Sequence, residues 1–241
     1  MPDMNRRNGM MNPSLHQDSS APMKLAHLKT LAISALPLVS WPEYAKATVS
    51  ETEAAIAKHV VAENPRAMAL LQETVDINSG TMNFDGVRKV GAVFEREFKE
   101  LGFATEWVDG KGFNRAGHLL ASRGNTGPKI LLIGHLDTVF AEDSPFQKMQ
   151  KLSPTAASGP GITDMKGGDV IIIQALRALR AAGQLDNLQI RVVMTGDEEN
   201  SGEPLALSKQ ALLQAGDWAD IALGFEDGDG NPKTAAISRR G

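Results

Sequence analysis

The chain has 241 residues, of which 42% are hydrophobic and 22% are charged, and its formal net charge is −4. This length can bury a sizeable core in one large domain or two small ones. The acidic balance, without a cluster of basic and aromatic residues, argues against nucleic acid as a partner, and the absence of cysteine excludes disulfide bonds, thiolate nucleophiles and cysteine-ligated zinc.

Residues 1–47 are predicted to be an extension that ends in an export signal. Two lysines precede an apolar stretch from Leu31 to Trp41, and Ala45-Lys46-Ala47 follows as a small-x-small cleavage sequence. The pattern predicts a periplasmic or secreted protein whose signal runs from Met23 to Ala47. A disordered extension on a cytoplasmic protein is the alternative. No other segment reaches the roughly 18 apolar residues of a membrane span.

Helices and strands alternate along the rest of the chain. Ser50 precedes a first helix, Asn64-Pro65 opens a second, and apolar residues from Val87 to Leu101 mark a third at helical spacing. Short strands are predicted at 103–108 and 118–123. The continuous apolar run 130–133 that follows is typical of a buried parallel strand.

The second half of the chain repeats this alternation after a long irregular connection that ends near Pro160. A buried helix is predicted at 170–179, a strand at 188–194, a helix from Ser201 to Ala215 and a strand at 219–225. Such alternation predicts an α/β fold, a three-layer sandwich with a mostly parallel central sheet.

Metal-ligating side chains follow the predicted strands. Ligands of open α/β sheets collect at the carboxyl ends of the strands, so we expect these side chains to converge. One imidazole and several carboxylates suit a pair of divalent metal ions. The side chains are His135 with Asp137, Asp164 in a glycine-rich turn, Glu198 with Glu199 in the cluster Asp197-Glu198-Glu199, and Glu226.

Three other kinds of site fit the sequence less well. The segment 159–164 begins like a dinucleotide-binding turn, but Asp164 stands where the third glycine belongs and a carboxylate would repel a pyrophosphate. The segment 227–231 begins like a calcium loop, but Pro232 replaces its turn glycine. No Gly-x-Ser-x-Gly sequence is present, which disfavours a serine nucleophile.

Four motifs, GHLDTV, GPGITDMKGG, TGDEENSG and GFED, together resemble one family. This family is that of the dizinc amidohydrolases, which include carboxypeptidase G, aminoacylase-1, acetylornithine deacetylase and succinyl-diaminopimelate desuccinylase. The resemblance spans about Glu73 to Gly241, and INSGT, SPF and GPGI are most similar to the glutamate carboxypeptidase (carboxypeptidase G) branch.

The resemblance implies a role for each residue at two Zn²⁺ ions, for which Co²⁺ or Mn²⁺ can substitute. His135 and Glu226 would bind the first ion, Glu199 the second, and Asp164 would bridge both. It further implies that Asp137 orients His135, that Glu198 is the general base, and that the Asp164–Met165 peptide bond is cis.

The resemblance also implies that the chain is incomplete. Family members continue into a lid and dimerisation domain and then supply a last histidine ligand, which neither His59 nor His118 matches. We therefore predict an extension at 1–47, the first part of the catalytic domain at 48–233, and the start of a truncated lid at 234–241.

The implied function is zinc-dependent hydrolysis of an amide or peptide bond next to a free carboxylate, of the glutamate carboxypeptidase type. An N-acyl amino acid deacylase and a catalytically inactive metal-binding remnant are the alternatives. The expected substrate is a small peptide or an N-acyl amino acid. A homodimer is expected only with the lid domain present, and the 241-residue chain alone is expected to be inactive.

Overall fold

The computed structural model describes residues 48–228 and residue 234. Three helices come first: α1 (Glu51–Ala62), α2 (Asn64–Val75) and α3 (Phe84–Glu100). Five strands follow: β1 (Ala104–Asp109), β2 (Gly117–Arg123), β3 (Lys129–His135), β4 (Gln150–Ser153) and β5 (Ala156–Ser158). The remaining elements are α4 (Gly167–Ala181), β6 (Gln189–Thr195), α5 (Leu205–Ser208), α6 (Gln210–Trp218) and β7 (Ile221–Gly224).

Five strands form the central sheet in the order β1-β2-β6-β3-β7. Strand β3 lies parallel to β6 on one side and to β7 on the other, whereas β2 pairs antiparallel with both β1 and β6. The predicted parallel arrangement is therefore present around β3, and the β1–β2 side of the sheet is antiparallel. His135 pairs with Thr195, so β3 and β6 end at the same edge.

Alternating side chains of the central strands give the sheet two apolar faces. Leu132 and Val192 belong to the main core with α2, α3 and α4, whereas Leu131 and Val193 pack with Ala215 of α6. Because successive residues of a strand point to opposite faces, one apolar run supplies both cores. The predicted α/β class and its three layers are confirmed.

The first helix begins directly after the predicted cap, Ser50, and the third contains the predicted apolar stripe. Ser50 caps α1 in a reciprocal capping box with Glu53. The apolar stripe of α3, including Val90, Phe94 and Phe98, is buried against the sheet, and Gly102 ends the helix with a φ of 81°. Amphipathic spacing thus places α3 next to the strands that carry the site.

Two segments differ from the prediction. The connection before Pro160 contains the antiparallel pair β4–β5, which we expected to be irregular. The helix predicted from Ser201 to Ala215 begins at Leu205 and is divided into α5 and α6. Residues 201–204 instead extend the loop after β6.

The predicted export signal and most of the predicted lid segment lie outside the described residues. Among residues 48–228, no helix is both long enough and apolar enough to cross a membrane.

Candidate metal centre

The predicted ligands come from separate segments at one edge of the sheet. His135 is the last residue of β3, Glu198 and Glu199 follow β6, and Glu226 follows β7. Asp164 lies in the tight turn of residues 162–166 that leads into α4. The peptide bond after Asp164 is cis, as the resemblance implied. The topology thus brings together residues that are up to 91 positions apart in the sequence.

Three of these residues form a group that can hold a metal ion. One ligand atom from each of His135, Asp164 and Glu199 lies within 4.8 Å of the other two. The Nε2 atom of His135 is 3.0 Å from Oδ1 of Asp164 and 3.5 Å from Oε1 of Glu226. Ligands at 2.0–2.2 Å from a tetrahedral zinc ion lie roughly 3.3–3.6 Å apart. The distance from His135 to Glu226 is within this range, the distance from His135 to Asp164 is shorter, and the nitrogen and oxygen donors are of the kind that zinc binds.

The backbone and carboxylate of Asp137 fix the orientation of His135. Nδ1 of His135 lies 3.0 Å from the carbonyl oxygen of Asp137 and 3.5 Å from its Oδ1, and both residues are buried. A proton on Nδ1 donates to these oxygens. Nε2, the nitrogen that faces Asp164 and Glu226, is then available as a metal ligand.

The carboxylate of Asp137 also holds the loop that carries both glutamates. Oδ1 accepts a hydrogen bond from the backbone N–H of Glu198 at 3.0 Å, and Oδ2 accepts one from the N–H of Glu199 at 3.2 Å. The hydroxyl of Thr81 donates to Oδ2 at 2.6 Å. Asp137 therefore positions three parts of the site, where the sequence had suggested an effect on His135 alone.

The crowded acidic groups shift the pKa values of the site. Burial disfavours the charged imidazole, but the hydrogen bond and charge of Asp137 and the charge of Asp169 outweigh it and raise the pKa of His135 to about 10. Burial and the charge of Asp164 raise the pKa of Glu199 to about 7. Burial also raises the pKa of Glu226. A bound cation would relieve this repulsion.

Glu198 differs from Glu199 in its surroundings. The side chain of Glu198 is exposed, whereas Glu199 is partly buried and belongs to the group of three ligands. Their adjacent backbone N–H groups are held by the same carboxylate. This arrangement leaves Glu198 accessible to water and substrate, which its predicted role as general base requires.

Sequence reasoning did not single out Asp169, which lies in the first turn of α4. Its side chain is fully buried, and among the described residues neither of its oxygens has a hydrogen-bond partner. Burial raises the pKa of Asp169 well above its usual range. A Cβ at Gly134 would lie 2.1 Å from Oδ1 of Asp169, so the glycine before His135 makes room for this carboxylate.

Lys166 anchors the turn that carries Asp164. Its buried Nζ donates to the carbonyl oxygens of Thr74 at 3.0 Å and Ile77 at 2.9 Å, at the end of α2. Burial lowers the pKa of Lys166 to about 7. The sequence alone gave no sign of this role, because the partners are main-chain atoms about 90 residues away.

Asp197 and His118 also hold the loop after β6. Oδ2 of Asp197 accepts hydrogen bonds from the hydroxyl of Ser208 at 2.6 Å and the N–H of Gly202 at 2.8 Å. Nδ1 of His118 accepts from the N–H of Gly196, and its Nε2 donates to the carbonyl of Ser208. Asp197 thus belongs to a buried structural network and not to the metal centre.

Residues 131–237 match the sequence model of peptidase family M20/M25/M40. This segment is a peptidase M20 domain. Carboxypeptidase G2 from Pseudomonas sp. (strain RS-16) is 30% identical over 165 residues, which cover 68% of this chain and 39% of that protein. The chain therefore spans about two fifths of the length of this relative.

Two further relatives match shorter parts of the chain. A probable succinyl-diaminopimelate desuccinylase from Staphylococcus aureus (strain Mu50) is 35% identical over 92 residues, covering 36% of this chain and 22% of that protein. An acetylornithine deacetylase from Salmonella arizonae is 35% identical over 109 residues, covering 43% and 27%. Each of these two matches covers less than a third of the relative's own length.

Solved structures share the fold of the M20 domain. Human carnosine dipeptidase 1 aligns with a TM-score of 0.60 and 20% identity, covering 71% of this chain and 40% of that chain. The dipeptidase Dug1p from Saccharomyces cerevisiae aligns with a TM-score of 0.59 and 16% identity, covering 72% and 39%.

Proposed function

We propose that the protein hydrolyses an amide or peptide bond next to a free carboxylate, as a zinc-dependent carboxypeptidase of the glutamate carboxypeptidase type. The observation that carries this proposal is the convergence of His135, Asp164 and Glu199 within 4.8 Å at the carboxyl edge of the sheet. The M20 match supports the reaction class.

The proposed roles follow the positions of the side chains. His135 and Glu226 would hold one zinc ion, Glu199 a second, and Asp164 would contact both. Bound zinc would acidify a water molecule and polarise the amide carbonyl. The exposed carboxylate of Glu198 accepts the proton of the attacking water and delivers it to the leaving amine.

The extent of similarity supports carboxypeptidase over deacylase activity. The match with carboxypeptidase G2 extends over 165 residues, against 92 for the desuccinylase and 109 for the deacetylase. Removal of an acyl group from an amino acid uses the same chemistry and remains the second candidate. A catalytically inactive metal-binding protein is the third. We also propose export, on the basis of the segment from Met23 to Ala47.

The adjacent glutamates provide the test. In a protein that contains the whole catalytic unit, Glu198→Gln is expected to retain zinc, because Glu198 is not a proposed ligand, and to lose about 10²–10⁴-fold in turnover of N-acyl or peptidyl glutamates. Glu199→Gln is expected to bind less zinc, because a neutral amide is a weaker ligand. Glu106→Gln makes the same chemical change at an exposed residue of β1, which is not among the predicted site residues, and serves as the control.

Zinc content by elemental analysis and turnover are measured on the same samples. Loss of zinc in Glu198→Gln with retention in Glu199→Gln would reverse the two assignments. Failure of the unaltered chain to bind zinc would contradict the proposed metal centre. Zinc binding without turnover in a protein that contains the whole catalytic unit would favour the inactive alternative.

A further inference from the structure

A cavity of about 410 Å³ lies beside the metal centre. Its wall consists of residues 80–83 before α3, four residues of the loop 138–142 after β3, and Glu199 with Asn200. This volume is within the range of roughly 300–1,000 Å³ that is typical of small-molecule sites. Since Glu199 is a predicted metal ligand, a group in this cavity would adjoin the reacting bond.

The wall of the cavity is held in place by hydrogen bonds. The hydroxyl of Thr81 donates to the buried carboxylate of Asp137, and its N–H donates to the carbonyl oxygen of Thr138 at 3.2 Å. Asn78 donates to the carbonyl oxygens of Phe140 and Ala141. A wall fixed to the site in this way is preformed, so a ligand need not order it on binding.

The wall of the cavity combines apolar and acidic side chains with four neutral polar ones, Thr81, Asn83, Thr138 and Asn200. Met82 and Val139, which are 63% and 66% exposed, offer apolar surface to an incoming group. Among the described residues that line this cavity, the charged side chains are those of Glu142 and Glu199, and none is Lys, Arg or His. Apolar contact favours an alkyl or aromatic group, and Glu142, the acidic residue of the wall that is not a proposed metal ligand, repels an anion.

We infer that this cavity is the subsite for the acyl half of the substrate and that it selects an apolar, uncharged group. The inference rests on the proposed amide hydrolysis. It fixes the orientation of the substrate, because the free carboxylate on the other side of the scissile bond must lie away from Glu142. It also disfavours succinyl amides, whose acyl group carries a carboxylate.

The test measures binding of four primary amides to the zinc-loaded 241-residue chain. Hexanamide is apolar, acetamide is short, adipamic acid has a terminal carboxylate and 6-aminohexanamide has a terminal ammonium. Binding is followed by the NMR signal of the ¹³C-labelled methyl group of Met82, which is assigned with Met82→Leu. Zinc content is measured on the same sample.

Hexanamide is expected to bind about 10-fold more tightly than acetamide, because each buried methylene strengthens binding by roughly fourfold and the cavity is half open. It is expected to bind about 3-fold more tightly than adipamic acid, because Glu142 repels the terminal carboxylate. Val139→Lys should raise the affinity for adipamic acid relative to hexanamide, and Val139→Leu, the matched apolar control, should keep the order.

Several results would overturn the subsite. Adipamic acid could bind as tightly as hexanamide, or 6-aminohexanamide could bind most tightly of all. Val139→Lys could leave the order of the four affinities unchanged, or the Met82 signal could respond to none of the four amides. The zinc measurement distinguishes failure of the proposed subsite from failure of the proposed function. A chain that holds zinc without amide preference lacks the subsite, whereas a chain with the preference but without zinc lacks the metal centre.

Discussion

Replacement of Asp137 by Asn tests whether one buried carboxylate organises the site. The carboxylate accepts hydrogen bonds from Thr81 and from the N–H groups of Glu198 and Glu199. The amide of Asn has one acceptor oxygen in place of two. The Thr81 hydroxyl can rotate to accept a hydrogen bond from the NH₂ group, but at least one of the two backbone N–H groups then faces NH₂ and loses its acceptor. Hydrogen bonds to a charged acceptor contribute about 1.5–3 kcal/mol each, so a loss of about 2–4 kcal/mol in unfolding free energy is expected.

The same substitution should weaken zinc binding. Asp137 lies 3.5 Å from Nδ1 of His135, and partners that orient a ligand in this way typically contribute about 10–100-fold in metal affinity. Urea denaturation of the metal-free chain and competition with a chelator measure the two effects. Thr81→Val removes one hydrogen bond but keeps the carboxylate, so about 1 kcal/mol and unchanged zinc affinity are expected. If Asp137→Asn changes stability by less than about 0.5 kcal/mol and affinity by less than twofold, the reasoning is wrong.

Three further predictions follow from the buried and titrating groups. Zinc must displace protons from His135, whose pKa is about 10, and Glu199, whose pKa is about 7, so the affinity for zinc should rise with pH. Filling both zinc positions should release about two protons in total below pH 7 and about one at pH 8. Calorimetry in buffers of different ionisation enthalpy counts these protons, and a pH-independent affinity would contradict the prediction. Lys166→Met, which removes two hydrogen bonds to main-chain carbonyls, should lower the unfolding free energy by about 1–3 kcal/mol in urea. Arg177 of α4 forms a buried ion pair with Glu97 of α3, and Glu97 also contacts Arg96. Arg177→Met should lower the unfolding free energy measured in urea by about 2–4 kcal/mol, somewhat less than the loss for a fully unpaired buried charge, because Glu97 keeps Arg96 as a partner.

Most of the fold could be predicted because its signals are local. The apolar run 130–133 indicated a buried parallel strand, and β3 lies between two parallel neighbours. The direction of β2 could not be predicted, because its pairing with β6 joins residues about 70 positions apart and depends on the whole sheet. The β4–β5 pair was missed because its four-residue and three-residue strands are too short to show a period.

The positions of the predicted ligands follow from strand ends, but the supporting residues do not. His135, Glu199 and Glu226 were predictable because the carboxyl ends of parallel strands meet at one edge. Asp169 was not, because an acidic residue in the first turn of a helix is ordinarily exposed. Its burial depends on Gly134, a residue of another element whose missing side chain leaves the space.

The carboxylates near the site are of two kinds, buried and exposed, which the sequence alone does not distinguish. Asp137 and Asp197 are buried and accept hydrogen bonds from main-chain N–H groups, so their charges are used within the protein to fix loops. The side chains of Asp164 and Glu226 are 52% and 47% exposed and face the imidazole of His135. Water can screen the repulsion among exposed carboxylates until a cation binds, whereas a buried carboxylate must be satisfied by the fold itself. In the run Asp197-Glu198-Glu199, the buried carboxylate of Asp197 accepts a main-chain N–H and fixes the loop, whereas the exposed Glu198 and the partly buried Glu199 leave their carboxylates to the proposed roles of proton acceptor and ligand.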